Sequence, residues 1–197
     1  MTLPETLPVM ALPACSLFPG ARLPLFIFEP RYRQMLAEVL EGDRLFCVGT
    51  IAGNPDAEPL DIHEFSTAGL VRACVGNDDG TSHLVLEGLQ RVRFTGWRHT
   101  KPYKIAEIEV VASDNPDPAA TSLLCDEIKR LAEGRLRRAG YESDETVQAL
   151  WETLGSDEAV ADFVAYHLVP DVERRQPLLA MPSVVERLVL LGEILGA

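Results

Sequence analysis

The stretch SDNPDPAATS, Ser113 to Ser122, separates two incompatible hydrophobic patterns. Before it, apolar residues recur with the period of two that suits a half-buried strand; after it they recur every three or four residues, as along one face of a helix. Two prolines and several helix-capping residues mark the change itself. The sequence therefore predicts a β-rich unit over residues 1–115 and a helical unit over residues 116–197. A chain built this way belongs to the α+β class.

Within the first unit, Leu7–Pro13 and Arg22–Phe28 read as strands. Pro30 then suits a first helical turn, where a missing N–H costs nothing. A helix over Pro30–Leu40 places Tyr32, Met35, Leu36 and Val39 on one side, and Gly42 ends it. Leu45–Ile51 is a short, wholly apolar run of buried-strand type, followed by the loop AGNPDAEPLD. In the next segment Phe65, Gly69, Val71, Ala73 and Val75 share one parity, while Ser66, Ala68, Leu70, Arg72 and Cys74 share the other. GNDDGTS, Gly76 to Ser82, is a hairpin turn with Gly80 available for a left-handed position. Adjacent Asp78 and Asp79 before that glycine are turn chemistry rather than an acid–base pair. The chain returns through His83–Gly88 into Leu89–Trp97, where Val92 and Phe94 face one way and Arg91, Arg93 and Trp97 the other; Ala106, Ile108 and Val110 then point inward. Six or seven strands joined by short connections imply antiparallel pairing curled into a partial barrel, with one helix.

The second unit reads as a small helical bundle. Leu124, Ile128 and Leu131 begin one helix, and Val147, Leu150, Trp151 and Leu154 form the stripe of the next. Ser156 caps a third, with Asp157 and Glu158 at its positive end, a stripe of Val160, Phe163, Val164 and Leu168, and Pro170 after it. His167 in that stripe reads as a hydrogen-bonded boundary residue rather than a catalyst. Ser183 and Glu186 make a capping box for a last helix that buries Val184, Leu188, Leu191 and Leu195.

Charge narrows the function classes. The formal net charge is −12, and each side of Pro118 carries −6. Such even acidity lacks the clustered Lys and Arg that neutralise phosphates, so neither nucleic acid nor an anionic membrane is an expected partner. The start, MTLPETLPVM, has no basic run ahead of an apolar core, and no stretch approaches the roughly 20 apolar residues of a membrane span. A cytoplasmic location is the expectation. Cys15, Cys47, Cys74 and Cys125 lie far apart without a CxxC pair, as reduced and mostly buried thiols would. The histidines His63, His83, His99 and His167 form no metal-ligand spacing; Cys74 and His83 could meet across the hairpin, but two ligands do not make a zinc site. No metal or cofactor is expected.

The segment LPLFIFEPRYRQM admits two readings. In one, Leu25 and Ile27 with the helix face Tyr32, Met35 and Leu36 cork one end of the barrel, Pro24 and Pro30 fixing the direction of the chain. In the other, alternation sends Phe26 and Phe28 to the opposite side, beside Arg31, as a surface for extended apolar polypeptide. Trp97 has two readings also: an anchor between the units or a ligand contact, with Gly96 permitting a bulge that would swing it inward.

Three stretches carry a resemblance, in order: Leu23–Met35, then TAGLVRACVGNDDGTSHLVLEGLQRVRF (Thr67–Phe94), then ADFVAYHLVPDVERRQPLLAMPSVVERLVLL (Ala161–Leu191). Together they are similar to the amino-terminal domain of the ATP-dependent Lon proteases. They are most similar to its stand-alone bacterial form, the Lon N-terminal (LON substrate-binding) domain proteins. The similarity runs from about Leu7 to Leu195 and includes Gly88–Arg91 and the Arg-Gln-x-Leu-Leu stretch Arg175–Leu179. It implies a PUA-like lobe followed by a helical lobe, used to engage polypeptide substrates and assist assembly. The sequence holds no GxxxxGK[ST] phosphate loop, and none of its three lysines, Lys101, Lys104 and Lys129, has a local serine partner of protease type.

The function expected is therefore non-catalytic recognition of unfolded or extended polypeptide, with Phe26, Phe28, Arg31 and Trp97 as candidate contacts. Two alternatives belong to other classes. One is an adaptor whose helical lobe docks on a protein partner; the other is a small-molecule binder in a cleft between the lobes.

Overall fold

Arg22–Ile27, the second strand of the chain, ends one residue before Phe28 and turns at Glu29 directly into a helix that begins at Pro30. The structure, a computed structural model, describes residues 2–138, 140 and 144–196, with the side chains of 144–146 left out. The chain divides into two compact units, Met1–Val111 and Ala112–Ala197.

The first unit contains β1 (Thr6–Pro13), β2 (Arg22–Ile27), α1 (Pro30–Glu41), β3 (Leu45–Ile51), β4 (Phe65–Gly76), β5 (Ser82–Arg98) and β6 (Lys104–Val110). The strands follow the order β2-β5-β4-β3-β1-β6, and β6 also pairs with β5. Five strands thus close a ring, with β2 added outside it along the first part of β5. Closure removes edges that would otherwise template association. The ring is filled by Leu7, Val9, Leu45, Cys47, Ala68, Val92, Phe94 and Ala106, so every one of its strands contributes to one core.

One pairing departs from the antiparallel expectation: β1 and β3 run parallel, Val9 opposite Cys47 and Pro13 opposite Ile51. A parallel partner needs a long crossover, and β2 with α1 supplies it. β3, with all seven residues buried, is then covered on both faces, which is why it shows no alternation. Helix α1 buries the four residues its spacing predicts. Its Tyr32 hydroxyl accepts from the Ala11 N–H and donates to the Ala11 carbonyl, both at 3.1 Å, which holds the helix against β1. Gly42 sits at the end of α1 but with φ −104°; the left-handed residue is Arg44, φ 61°, whose Nε donates to the Val71 carbonyl.

The simple parity of β4 fails. Register shifts between Ala68 and Gly69 and between Val71 and Ala73 change which face later residues present, so Ala73 and Val75 are exposed although Val71 is buried. The two stretches read as separate strands after the hairpin are one 17-residue strand, β5. Arg91, expected outside with Arg93, is 2% exposed. Alternation reports a face, not exposure, and the segment Cys15–Ala21 covers that outer face. Thr50 Oγ1 donates to the Cys15 carbonyl and Thr67 Oγ1 to the Leu17 carbonyl, each at 2.7 Å, and the Gly20 N–H bonds the Gly88 carbonyl at 2.9 Å. Ser16, Leu17 and Phe18 are buried as a result. Val110 lies beyond the closed core and is exposed rather than inward.

The second unit contains α2 (Pro118–Arg138), α3 (Asp144–Leu154), α4 (Asp157–Leu168), α5 (Val172–Ala180) and α6 (Val184–Gly196). α2 packs against α4 and α6, and these supply most of the core, including Ile128, Val160, Val164, Leu188 and Leu191. Ser156 accepts from the Ala159 N–H at 3.1 Å and Ser183 from the Glu186 N–H at 3.3 Å, the caps their positions predict. α5 is an addition. Pro177 sits inside the helix, whose first turn is set by Asp171 accepting from the Glu173 N–H at 2.9 Å. Ala161, Asp162 and Ala165 are buried on α4, while Phe163 and Leu168 are half-buried, because the helix packs against both α2 and α6. His167 is exposed, its ring 4.3 Å from that of Phe163 and 4.8 Å from that of Tyr166, rather than a hydrogen-bonded boundary residue.

A charged residue also crosses this core. Arg187 of α6, 1% exposed, donates through Nη1 to Asp162 Oδ1 at 2.9 Å and through Nη2 to Ser113 Oγ at 2.7 Å and the Pro182 carbonyl at 3.2 Å. Ser113 in turn donates to Glu158. Among the described residues no helix is long and apolar enough to cross a membrane. Of the four cysteines, Cys47 and Cys125 are buried and Cys15 and Cys74 half-buried. Burial, with Asp157 beside it, pushes the Cys125 thiol up to about 12.

Candidate functional site

Three strands, β2, β5 and β4, form an arm whose two faces differ. On β2, Ile27 is buried and Leu23 and Leu25 half-buried, while Pro24 and Phe26, with Phe28 just beyond the strand, alternate to the other side and are exposed. Antiparallel register carries that division across the arm: Pro24 lies opposite Val85 and Phe26 opposite His83 on β5, and Val85 and His83 lie opposite Ala73 and Val75 on β4. Cross-strand neighbours on one face stand close enough to act together. Pro24–Val85–Ala73 and Phe26–His83–Val75 are thus two adjoining rows of apolar and aromatic side chains.

Nothing in the described chain covers these rows. Phe26 is 48%, Phe28 58% and Val75 65% exposed. The Phe26 ring stacks on His83 at 4.6 Å between centroids and on Phe28 at 5.8 Å. A groove of about 390 Å³ runs over Pro24, Phe26, Ala73, Val75, His83 and Val85. Its ends are polar: Arg72 pairs with Glu87 at one, and at the hairpin the Asp79 carboxyl, accepting from the Thr81 hydroxyl and N–H, is held below the usual carboxylate range. Among the described residues β2 has β5 as its one strand neighbour, so its far edge carries backbone groups outside any described ladder, and Pro24 is tolerated there.

The structure groups two of the four sequence-derived residues. Phe26 and Phe28 form one stacked pair. Arg31 turns away around the Glu29–Pro30 corner: it pairs with Glu29 at 2.8 Å, lies over the Tyr32 ring at 4.5 Å and lines a different cavity, of about 440 Å³. Trp97 lies 14 residues beyond His83 along β5. The register shift between Phe94 and Gly96 brings its ring to 5.2 Å from that of Phe94, leaving it 36% exposed with Lys104 Nζ 5.5 Å from its centroid. Val75, His83 and Val85 complete the apolar face and were not singled out from sequence. The hairpin could have found them: with Gly80 left-handed at φ 79°, counting back from the turn sets Val75 opposite His83. Cys74 instead lies opposite Leu84, and among the described residues no group of three or more His, Cys, Asp or Glu side chains is placed to hold a metal ion.

Behind α1, Glu38 accepts from the Tyr103 hydroxyl at 2.6 Å and from Gln34 at 3.0 Å, and pairs with Lys101 at 3.1 Å. These donors hold its carboxyl at about 2. The Tyr103 hydroxyl is pushed up, first by burial and then by that carboxylate.

Comparison with known proteins gives one consistent answer. The family model described as the ATP-dependent protease La (LON) substrate-binding domain matches residues 6–197. Lon protease 2 of Thermus thermophilus is 28% identical over 191 residues, covering 94% of this chain and 23% of that protein; Lon protease 2 of Syntrophobacter fumaroxidans is 30% identical over 191 residues, covering 92% and 23%. The chain thus spans about a quarter of the length of the curated relatives it matches. Among solved structures, the N-terminal domain of Mycobacterium avium complex Lon protease superposes with a TM-score of 0.73 at 17% identity, over 98% of each chain. A Lon N-terminal domain protein from Xanthomonas campestris gives 0.68 at 21% identity, over 94% and 96%. At these identities the two structures show a shared fold.

Proposed function

Starting from the fact that the chain belongs to the LON substrate-binding domain family, we propose that it recognises extended, apolar polypeptide on the outer face of the β2–β5–β4 arm. The observation that carries the reading is the uncovered pair of rows, Pro24–Val85–Ala73 and Phe26–His83–Val75, extended by Phe28. An exposed, contiguous apolar face is the mark of an interaction surface. An extended chain suits it: side chains alternate, so every second residue of a ligand reaches the groove while its backbone can run along the free edge of β2.

Binding at such a face makes and breaks no covalent bond and asks for no nucleophile, metal or cofactor. A shallow groove buries little area, so affinity per site is weak, on the order of 10–100 μM. A dye-labelled decapeptide rich in Phe and Leu, titrated against the protein by fluorescence polarisation, should bind saturably. The Phe26→Ser/Phe28→Ser variant should lose about tenfold or more of that affinity. Equal affinity in the variant would remove the face from the reading, and no saturable binding up to about 1 mM would remove the reading itself.

A further inference from the structure

The second cavity, reached around the Glu29–Pro30 corner, has the opposite chemistry. About 440 Å³ in volume, it is lined by Arg31, Tyr32, Glu58, His99, Lys101 and Lys104 among others. In a chain of net charge −12, with three lysines in all, two of them line this one cavity together with an arginine and a histidine. Glu29 already pairs with Arg31 and Glu38 with Lys101, and Glu58 is an exposed carboxylate in the wall. Lys104 is different. It is half-buried, its ammonium lies over the Trp97 ring, and among the described residues no carboxylate pairs with it. The cavity therefore offers one uncompensated, partly desolvated cation, beside an arginine held in place by a carboxylate and an aromatic ring. That suits a single negative charge better than a phosphate dianion or a polyanion, for which the three nearby carboxylates are unfavourable.

The place of this cavity relative to the apolar face decides what brings the charge. Phe28 ends the aromatic face and Arg31 begins the cavity wall, three residues later in the same chain, so their Cα atoms lie within about 10 Å. Three extended residues of a ligand reach from Phe28 to the cavity wall at Arg31, and Lys104 lines that same cavity. We infer that the cavity takes a carboxylate of the bound polypeptide, either its C-terminal carboxylate or an acidic side chain just beyond the apolar run. The inference rests on the polypeptide reading and adds the polarity of the ligand: apolar residues over Phe26 and Phe28, then an anion at Lys104.

The test uses one labelled Phe- and Leu-rich decapeptide in three forms: with a free C-terminal carboxylate, with a C-terminal amide, and amidated with a glutamate three residues beyond the apolar run. At low salt at least one acidic form should bind about fivefold tighter than the neutral amide, the scale of a modest ion pair, and the form that does so identifies the source of the carboxylate. Lys104→Met, which keeps the packing on Trp97, should erase that preference and leave the affinity for the neutral amide unchanged. Lys101→Gln, at an exposed position, repeats the test without disturbing the Trp97 contact and should reduce the preference in part. Equal binding of all three forms by the natural protein overturns the inference while the polypeptide reading stands. Binding of none of them overturns both.

Discussion

A Cβ atom on Gly88 would stand 2.0 Å from the backbone carbonyl oxygen of Phe18. No L-side chain fits there, because the obstacle is main chain held in place on both sides: the Gly20 N–H bonds the Gly88 carbonyl and the Gly88 N–H bonds the Ala21 carbonyl, each at 2.9 Å. This contact lets Cys15–Ala21 lie flat on the barrel and lets β5 continue unbroken through the glycine. Gly88→Ala should therefore destabilise the protein by more than about 3 kcal/mol, at the severe end for a single substitution. Urea denaturation followed by Trp fluorescence measures it, with Gly134→Ala, where an added Cβ meets nothing within 4 Å, as the benign comparison.

The buried pair Arg187–Asp162 makes an asymmetric prediction. Both side chains are at most 2% exposed and meet at 2.9 Å. Removing Arg187 takes the buried Asp162 carboxylate's guanidinium away, whereas removing Asp162 leaves Arg187 its contact with Glu158 at 3.5 Å, so Arg187→Ala should cost about 3–5 kcal/mol and Asp162→Ala less. Replacing both with Leu and Met should recover most of the loss, because a well-packed apolar pair can match a buried ion pair. Double-mutant denaturation curves give the coupling directly.

The Glu38 carboxyl should titrate near pH 2 rather than at its ordinary 4.5. Its folded pKa is depressed, so the stability it contributes is present above about pH 4.5 and is lost as the pH falls through about 2. Carboxyl-detected NMR of the natural protein and of Tyr103→Phe checks this. Loss of the Tyr103 hydroxyl, the strongest donor to Glu38, should raise the midpoint toward 4.5.

Elements that report their own local chemistry were legible in the sequence. Pro30, the Tyr32–Met35–Leu36–Val39 stripe, the apolar run Leu45–Ile51, and the caps Ser156 and Ser183 each depend on residues a few positions apart. Features set by distant chain were not. The parallel β1–β3 pair follows from the β2–α1 crossover, and Arg91 is buried by residues more than seventy positions earlier. α5, a nine-residue helix with Pro177 inside it, was not assigned from the sequence. The apolar face was half legible for the same reason. Alternation on β2 exposes Phe26 and Phe28, but two register shifts in β4 decide that Val75 and Ala73 join them, and no count along β4 alone contains those shifts.

Chemical-shift mapping tests the central claim most directly. When the unlabelled Phe- and Leu-rich peptide is added to ¹⁵N-labelled protein, progressive shifts should concentrate at Phe26, Phe28, Ala73, Val75, His83 and Val85. Leu123, a residue of α2 that is even more exposed, should stay unmoved. Shifts confined to the helices of the second unit, with the β2–β5–β4 arm unchanged at saturating peptide, would contradict the account.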